Sequence, residues 1–361
     1  MALSLVLRSQ KIIGLSRVVP PLIYPSCNKF YQVREVHRKS VYKTEEAKKV
    51  RFYILNRFVD FLKNYDQILE KNFPTTMKTY KVFMEGIKDF ITEMREYFKI
   101  VRMLNSSAGS YTKLLRREIE LYYQMPKDMF KVAPTLIFST LPFAFYVLLP
   151  LIYAFPKQLL TPHFWTLEQR AKFKTEYLHD RLVHNKPVFR HLQLQLNFIK
   201  HNKDSCIYET WSKVLGQLGS GVQPTVEDIL SCKDLFMDEP YHLLYLSRNH
   251  ILHLVKIHNI HPGWFRRTRL ADRALILIEM DKAIMREGGV HNLPSEALKT
   301  ACYIRGLNPT NVDEKYLVKW LSQWIKISNE INKENLSLLL HCPILLGYNE
   351  PSNWSLIYPK K

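Results

Sequence analysis

Apolar residues recur at helical spacing along most of the chain. Val50, Ile54, Phe58, Phe61, Leu62, Tyr65, Ile68 and Leu69 trace one amphipathic helix that ends near Phe73-Pro74. Tyr80, Met84, Ile87, Ile91, Met94, Phe98 and Val101 then step alternately by four and three. That rhythm predicts a helix over 76–104 with a heptad seam. The seam suits packing inside the chain, with self-association through Tyr80–Val101 as the alternative. Asn105 to Gly109 breaks the pattern, so 44–130 reads as a region of amphipathic helices.

From 132 to 156 the pattern changes. The run VAPTLIFSTLPFAFYVLLPLIYAFP holds no Asp, Glu, Lys, Arg or His, and Lys131 and Lys157 close it. A helix over it would rise about 37 Å, enough for a hydrocarbon core of about 30 Å. The run therefore predicts a single transmembrane helix, bent at Pro134, Pro142 or Pro150. A buried core helix is the alternative, and the complete lack of charge speaks against it. Basic residues nearly balance across the run. Lys113, Arg116, Arg117, Lys127 and Lys131 precede it; Lys157, Arg170, Lys172 and Lys174 follow. That balance gives no orientation.

Beyond the run, Thr166 with Gln169 is a capping-box pattern opening a long helix, and Thr225 with Asp228 opens another. The stretch Leu293 to Leu307 ends at Arg305-Gly306, where glycine suits the left-handed position past a helix end. A following helix carries Leu317, Trp320, Leu321, Trp324 and Ile325 on one face. The pair is loosely like a SAP module, which binds nucleic acid, although such an apolar face is more often core. No strand-like alternation persists, so the fold class is all-α: a transmembrane helix, then a helical domain over 157–361.

Charge narrows the partners. The chain carries a net +19, and its mean hydropathy of −0.19 fits one apolar run in a polar chain. A strong basic balance favours anionic lipid, RNA or acidic protein. The first 34 residues have basic and serine residues and no acid, so 1–38 reads as a mitochondrial transit peptide or a disordered basic leader. Cys27, Cys206, Cys232, Cys302 and Cys342 form no CxxC pair, which fits a reducing compartment.

No P-loop, dinucleotide fingerprint, HExxH, GxSxG or EF-hand loop is present. The chain is therefore expected not to be an enzyme and to need no cofactor. His242, His250, His253, His258 and His261 cluster in sequence, but no cysteine or close carboxylate completes a metal set. Two basic stretches suit polyanions. One carries Lys172, Lys174, Arg181, Lys186 and Arg190, with Lys200 and Lys203 beyond. The other, Trp264-Phe265-Arg266-Arg267-Thr268-Arg269, joins guanidinium groups that pair with phosphate to rings that stack on bases. A solvated helix face is the plain alternative for either.

Several separated motifs together resemble the LETM family of mitochondrial membrane proteins. They are Pro142-Phe143, Phe155-Pro156, Leu160 and Phe164; Gly221, Pro224, Glu227 and Ile229 with Leu235-Phe236; Leu298, Ala301-Cys302 and Arg305-Gly306; and Leu317, Leu321, Trp324 and Ser337 to Leu340. The resemblance spans about 75–346 and is nearest to the short members. It implies a 14-3-3-like helical domain that binds mitochondrial ribosomes, and roles in cation homeostasis and organelle shape. It also implies an inner-membrane location in preference to the outer. For larger members it implies proton-coupled exchange. Where those members carry an intramembrane carboxylate and a lysine, this chain has Phe145 and Tyr153. The expectation is thus a membrane-anchored scaffold docking the mitoribosome in support of respiratory-chain biogenesis. The alternatives are a subunit or regulator of cation/proton exchange, and a nucleic-acid or chromatin-associated regulator with protein partners in membrane or nucleus.

Overall fold

The structure is a computed structural model, and it describes residues 74–106, 111–139, 151–152 and 154–358. The leader, the helix expected over 50–69, and residues 140–150 of the apolar run lie outside the described residues. The described residues fall in one compact unit, 73–361. Among the described residues the regular structure is all helical, as the spacing requires. In order the α-helices are α1 (Pro74–Ser106), α2 (Arg116–Ser139), α3 (Pro156–Leu159), α4 (Leu167–Leu182), α5 (Asn185–Leu194), α6 (Leu196–Asn202) and α7 (Ser205–Gly219). Next come α8 (Val226–Ser231), α9 (Arg248–Ile257), α10 (Arg266–Arg286), α11 (Ser295–Ile304), α12 (Glu314–Asn329), α13 (Leu336–Leu345) and α14 (Pro351–Ile357).

Local chemistry sets several boundaries. Thr166 and Gln169 form the reciprocal capping box at α4. The Thr225 side chain accepts from the Asp228 amide at 3.1 Å and starts α8. Gly306 takes φ 96°. The Leu307 amide then reaches the Cys302 carbonyl at 3.1 Å, closing α11 as a Schellman motif.

α13 is the centre of the molecule. Its sequence, LSLLLHCPIL, is apolar almost all round, and every one of its residues is buried. A helix with no polar face must be surrounded. α10, α5, α9 and α12 do so. Beside it, Asp281 of α10 pairs with Arg305, both 1% exposed, and its other oxygen accepts from Trp324 Nε1 at 3.1 Å. Arg305 also donates to the Ala301 carbonyl at 2.8 Å. The Trp320 and Trp324 face of α12 is therefore core.

The seam of α1 differs from expectation. Its buried line is Gly86, Phe90, Tyr97, Ile100 and Leu104. Met84, Ile87, Ile91, Met94 and Val101 flank that line half-buried, and Phe98 is exposed. The shift has a steric cause: a Cβ on Gly86 would sit 2.6 Å from the His163 carbonyl oxygen. The glycine, not the adjacent Ile87, is what admits the neighbouring chain.

Of the apolar run, residues 132–139, 151–152 and 154–156 are among the described residues, so the helix expected over 132–156 lies in part outside them. α2 begins at Arg116 and carries Pro126 and Pro134 inside it. At the far end Phe155 takes φ −128° and ψ 54°, outside the helical region. Among the described residues no helix is long and apolar enough to cross a membrane. Val132, at the head of the run, is buried in a cluster with Phe90, Tyr97 and Met125. α2 packs on α10, so the helices before the run join the body formed after it.

Buried histidines make this fold acid-sensitive. His341 Nδ1 lies 2.6 Å from the Ser337 carbonyl and its Nε2 lies 2.9 Å from His250 Nε2. His258 Nε2 lies 2.9 Å from the Leu340 carbonyl. Burial lowers all three, His341 to about 4, His258 to about 3 and His250 to about 2. The unfolded chain therefore takes up protons first, from its ordinary value near 6.5 downward. Stability should be full above pH 7 and should fall progressively from about pH 6.5 toward pH 4. Melting temperature against pH checks this; a flat profile across that window would contradict it.

Candidate polyanion interface

The two basic stretches have different fates. Lys172 and Lys174 are exposed on α4, and Lys186 and Arg190 share an exposed face of α5, four residues apart. Arg181 does not join them. It is buried, and its guanidinium donates to the carbonyls of Ile257 at 2.7 Å, Tyr303 at 2.8 Å and Ile304 at 2.9 Å. A cation there satisfies the ends of α9 and α11, where carbonyls lack intrahelical partners. Contrary to the expectation from the sequence, Arg181 is a core staple and not part of a polyanion-binding surface.

The second stretch builds a site. Gly263 to Phe265 lead into α10, and Phe265 takes the left-handed conformation, φ 56°. That is an uncommon state for a bulky residue. It leaves Trp264 87% and Phe265 78% exposed. They edge a shallow concavity of about 550 Å³ that Arg248, Arg266 and Arg267 also line. The first turn of α10 has no acidic residue and no side-chain cap. Its free amides and the helix dipole add positive potential to the arginines. The surface thus offers phosphate-pairing groups beside flat aromatic faces.

The arginines are not wholly free. Arg266 Nε donates to the Pro262 and Gly263 carbonyls, both at 3.1 Å. Arg267 donates to Leu243 at 3.1 Å and Leu246 at 3.0 Å, tying a distant loop to α10. Arg269 donates to His261 at 2.6 Å and is not among the lining residues. Arg248 carries no signal in the sequence. It lies on α9, and no local pattern joins it to a site opened by α10.

The histidines that cluster in sequence are dispersed into separate contacts. His250 meets His341, and His253 Nδ1 lies 3.1 Å from His184 Nδ1. Among the described residues no group of three or more metal-ligating side chains comes together.

Comparison with known proteins identifies the family. A family model described as LETM1-like, RBD, matches residues 114–345. The chain belongs to the LETM1-like family. It is 32% identical over 288 residues to LETM1 domain-containing protein 1 of Xenopus tropicalis, covering 79% of this chain and 81% of that protein. It is 28% identical over 307 residues to the protein of that name from Homo sapiens, covering 84% of each. It is also 26% identical over 262 residues to the mitochondrial proton/calcium exchanger protein of Drosophila melanogaster, covering 68% of this chain and 26% of that one.

The geometry separates structural from interfacial residues. Arg267→Ala removes two charge-assisted bonds to the 243–246 loop and should destabilise the fold by about 1–3 kcal/mol. Trp264→Ala, at a bare surface position, should stay within about 0.5 kcal/mol of the parent. Urea unfolding of both variants checks this. Equal losses would show that Trp264 is packed rather than presented.

Proposed function

We propose that this LETM1-like chain is a non-enzymatic mitochondrial membrane protein whose helical domain docks ribosomal RNA of the mitoribosome. It holds translation at the membrane that receives the products, and so supports respiratory-chain biogenesis. The apolar run supplies the attachment. The observation that carries this reading is the mouth of α10. There Trp264 and Phe265 stand exposed beside Arg248, Arg266 and Arg267 at an uncapped helix start. Stacking surfaces next to guanidinium groups suit single-stranded RNA, where unstacked bases are available. Lys172, Lys174, Lys186 and Arg190 supply more positive surface. The family description, with its ribosome-binding resemblance, points the same way.

A role in cation/proton exchange is the second reading, favoured by the name of the Drosophila relative. Phe145 and Tyr153, where larger members carry ionisable residues, speak against ion passage through this chain acting alone.

Cosedimentation of the chain with mitoribosomes tests the first reading. Each neutralised phosphate releases counterions, so binding should fall steeply with salt. Arg248→Glu with Trp264→Ala should weaken it at every salt concentration while melting stays unchanged. These two positions avoid Arg267, whose loss would disturb the loop. Absence of any salt-dependent association would overturn the docking reading.

A further inference from the structure

Burying a charge is costly unless a counter-charge and hydrogen bonds meet it. Arginine has no escape through loss of its proton. Arg273 of α10 is 6% exposed, and its Nε is buried with no hydrogen-bond partner. Its guanidinium lies 4.5 Å from the centre of the Tyr123 ring. Lys127 lies over the same ring, with Nζ 3.7 Å from the centre. A third cation, Arg269, stands one turn before Arg273 and acts on the Tyr123 hydroxyl together with the other two. Arg269 donates to the His261 carbonyl and does not line the concavity at the start of α10.

The carboxylates around these cations are engaged elsewhere. Glu120 is bonded to Arg116, Asp281 to Arg305 and Asp128 to Gln124. Among the described residues neither Lys127 nor Arg273 has a carboxylate at ion-pair distance. A ring face attracts a cation but carries no net charge. Positive charge is therefore left over. The Tyr123 hydroxyl responds to it: burial pushes it up, yet Arg273, Lys127 and Arg269 hold it below its ordinary value. Lys127 is lowered by burial, and Arg273 repels it further.

The packing of α2 on α10 assembles the group. Tyr123 and Lys127 are four apart on α2, and Arg269 and Arg273 are four apart on α10, so each pair shares a helix face. Arg273 is buried, Tyr123 and Arg269 are half-buried, and Lys127 is exposed. Lys127 thus gives an anion its way in, because its flexible stem can leave the ring to meet one. The donors suit a tetrahedral oxyanion. Guanidinium groups pair bidentately with phosphate, an ammonium adds a point charge, and a phenol donates one more bond.

We propose that Tyr123, Lys127, Arg269 and Arg273 form a binding site for one phosphate group, carried by an anionic phospholipid headgroup or by free phosphate. The site does not rest on the ribosome-docking reading. Thermal melting of the full chain in neutral detergent tests it. Inorganic phosphate is titrated against chloride at constant ionic strength. In a second arm, phosphatidic acid is titrated against phosphatidylcholine in mixed micelles. The melting temperature should rise by roughly 2–5 °C for each tenfold increase above the dissociation constant. A rise in both arms or with inorganic phosphate alone assigns the site to free phosphate. A rise with phosphatidic acid alone assigns it to the headgroup. Lys127→Ala, at an exposed position, should weaken binding at least tenfold without changing the melting temperature of the unliganded chain. Lys127→Arg should restore it. Arg273→Met with Lys127→Ala should abolish the rise in a chain that still folds, because an apolar side chain of similar length replaces the buried charge. No rise in either arm, or an equal rise in Lys127→Ala and the parent, would overturn the proposal.

Discussion

The buried pair of Asp281 and Arg305, completed by Trp324, is the constraint on which the rest of the molecule depends. It joins α10, the end of α11 and α12, with both charges 1% exposed. Charges so far from water are tolerated only when paired and hydrogen-bonded. Loss of one partner strands the other, at a cost of about 3–5 kcal/mol. Arg181 works similarly nearby, satisfying the carbonyl ends of α9 and α11 with one guanidinium. These polar ties fix how the helices stand around α13, whose apolar surface alone would accept many arrangements.

That frame gives α10 two roles. Its interior holds Asp281 and Arg273 in the core, and its first turn presents the surface between Trp264 and Arg267. The arginines there serve two ends at once, holding loops by some donors while others face the concavity. A charge reversal across all of them would confuse loss of fold with loss of binding. Arg248 and Trp264 separate the two.

What could be read in the sequence was local. The capping box at Thr166, the cap at Thr225 and the glycine ending α11 depend on neighbours within a few positions, so spacing revealed them. The Trp320 and Trp324 face showed itself as core by periodicity. Arg181 looked like a surface cation because its partners lie 76, 122 and 123 residues away. Arg248 gives no local signal for the same reason: the residues it meets at the concavity are 263–268. Periodicity sets the seam of α1 beside the true one because a glycine carries no hydrophobic signal, yet Gly86 decides where the His163 backbone can approach. The apolar run was the subtlest case. Lack of charge reads alike for a helix that crosses a bilayer and for a segment that meets it from one side.

The Glu93–His163 pair and the packing of α2 on α10 make α1, α2 and the helices after the apolar run a single folded body. The most direct test is a distance in the membrane-bound chain. Spin labels at Arg95→Cys and Glu168→Cys, with Cys27 and Cys206 changed to serine, would be measured in lipid nanodiscs by double electron–electron resonance. A single folded body predicts one distance well below the hydrocarbon thickness of about 30 Å. A distribution centred beyond that thickness would contradict it.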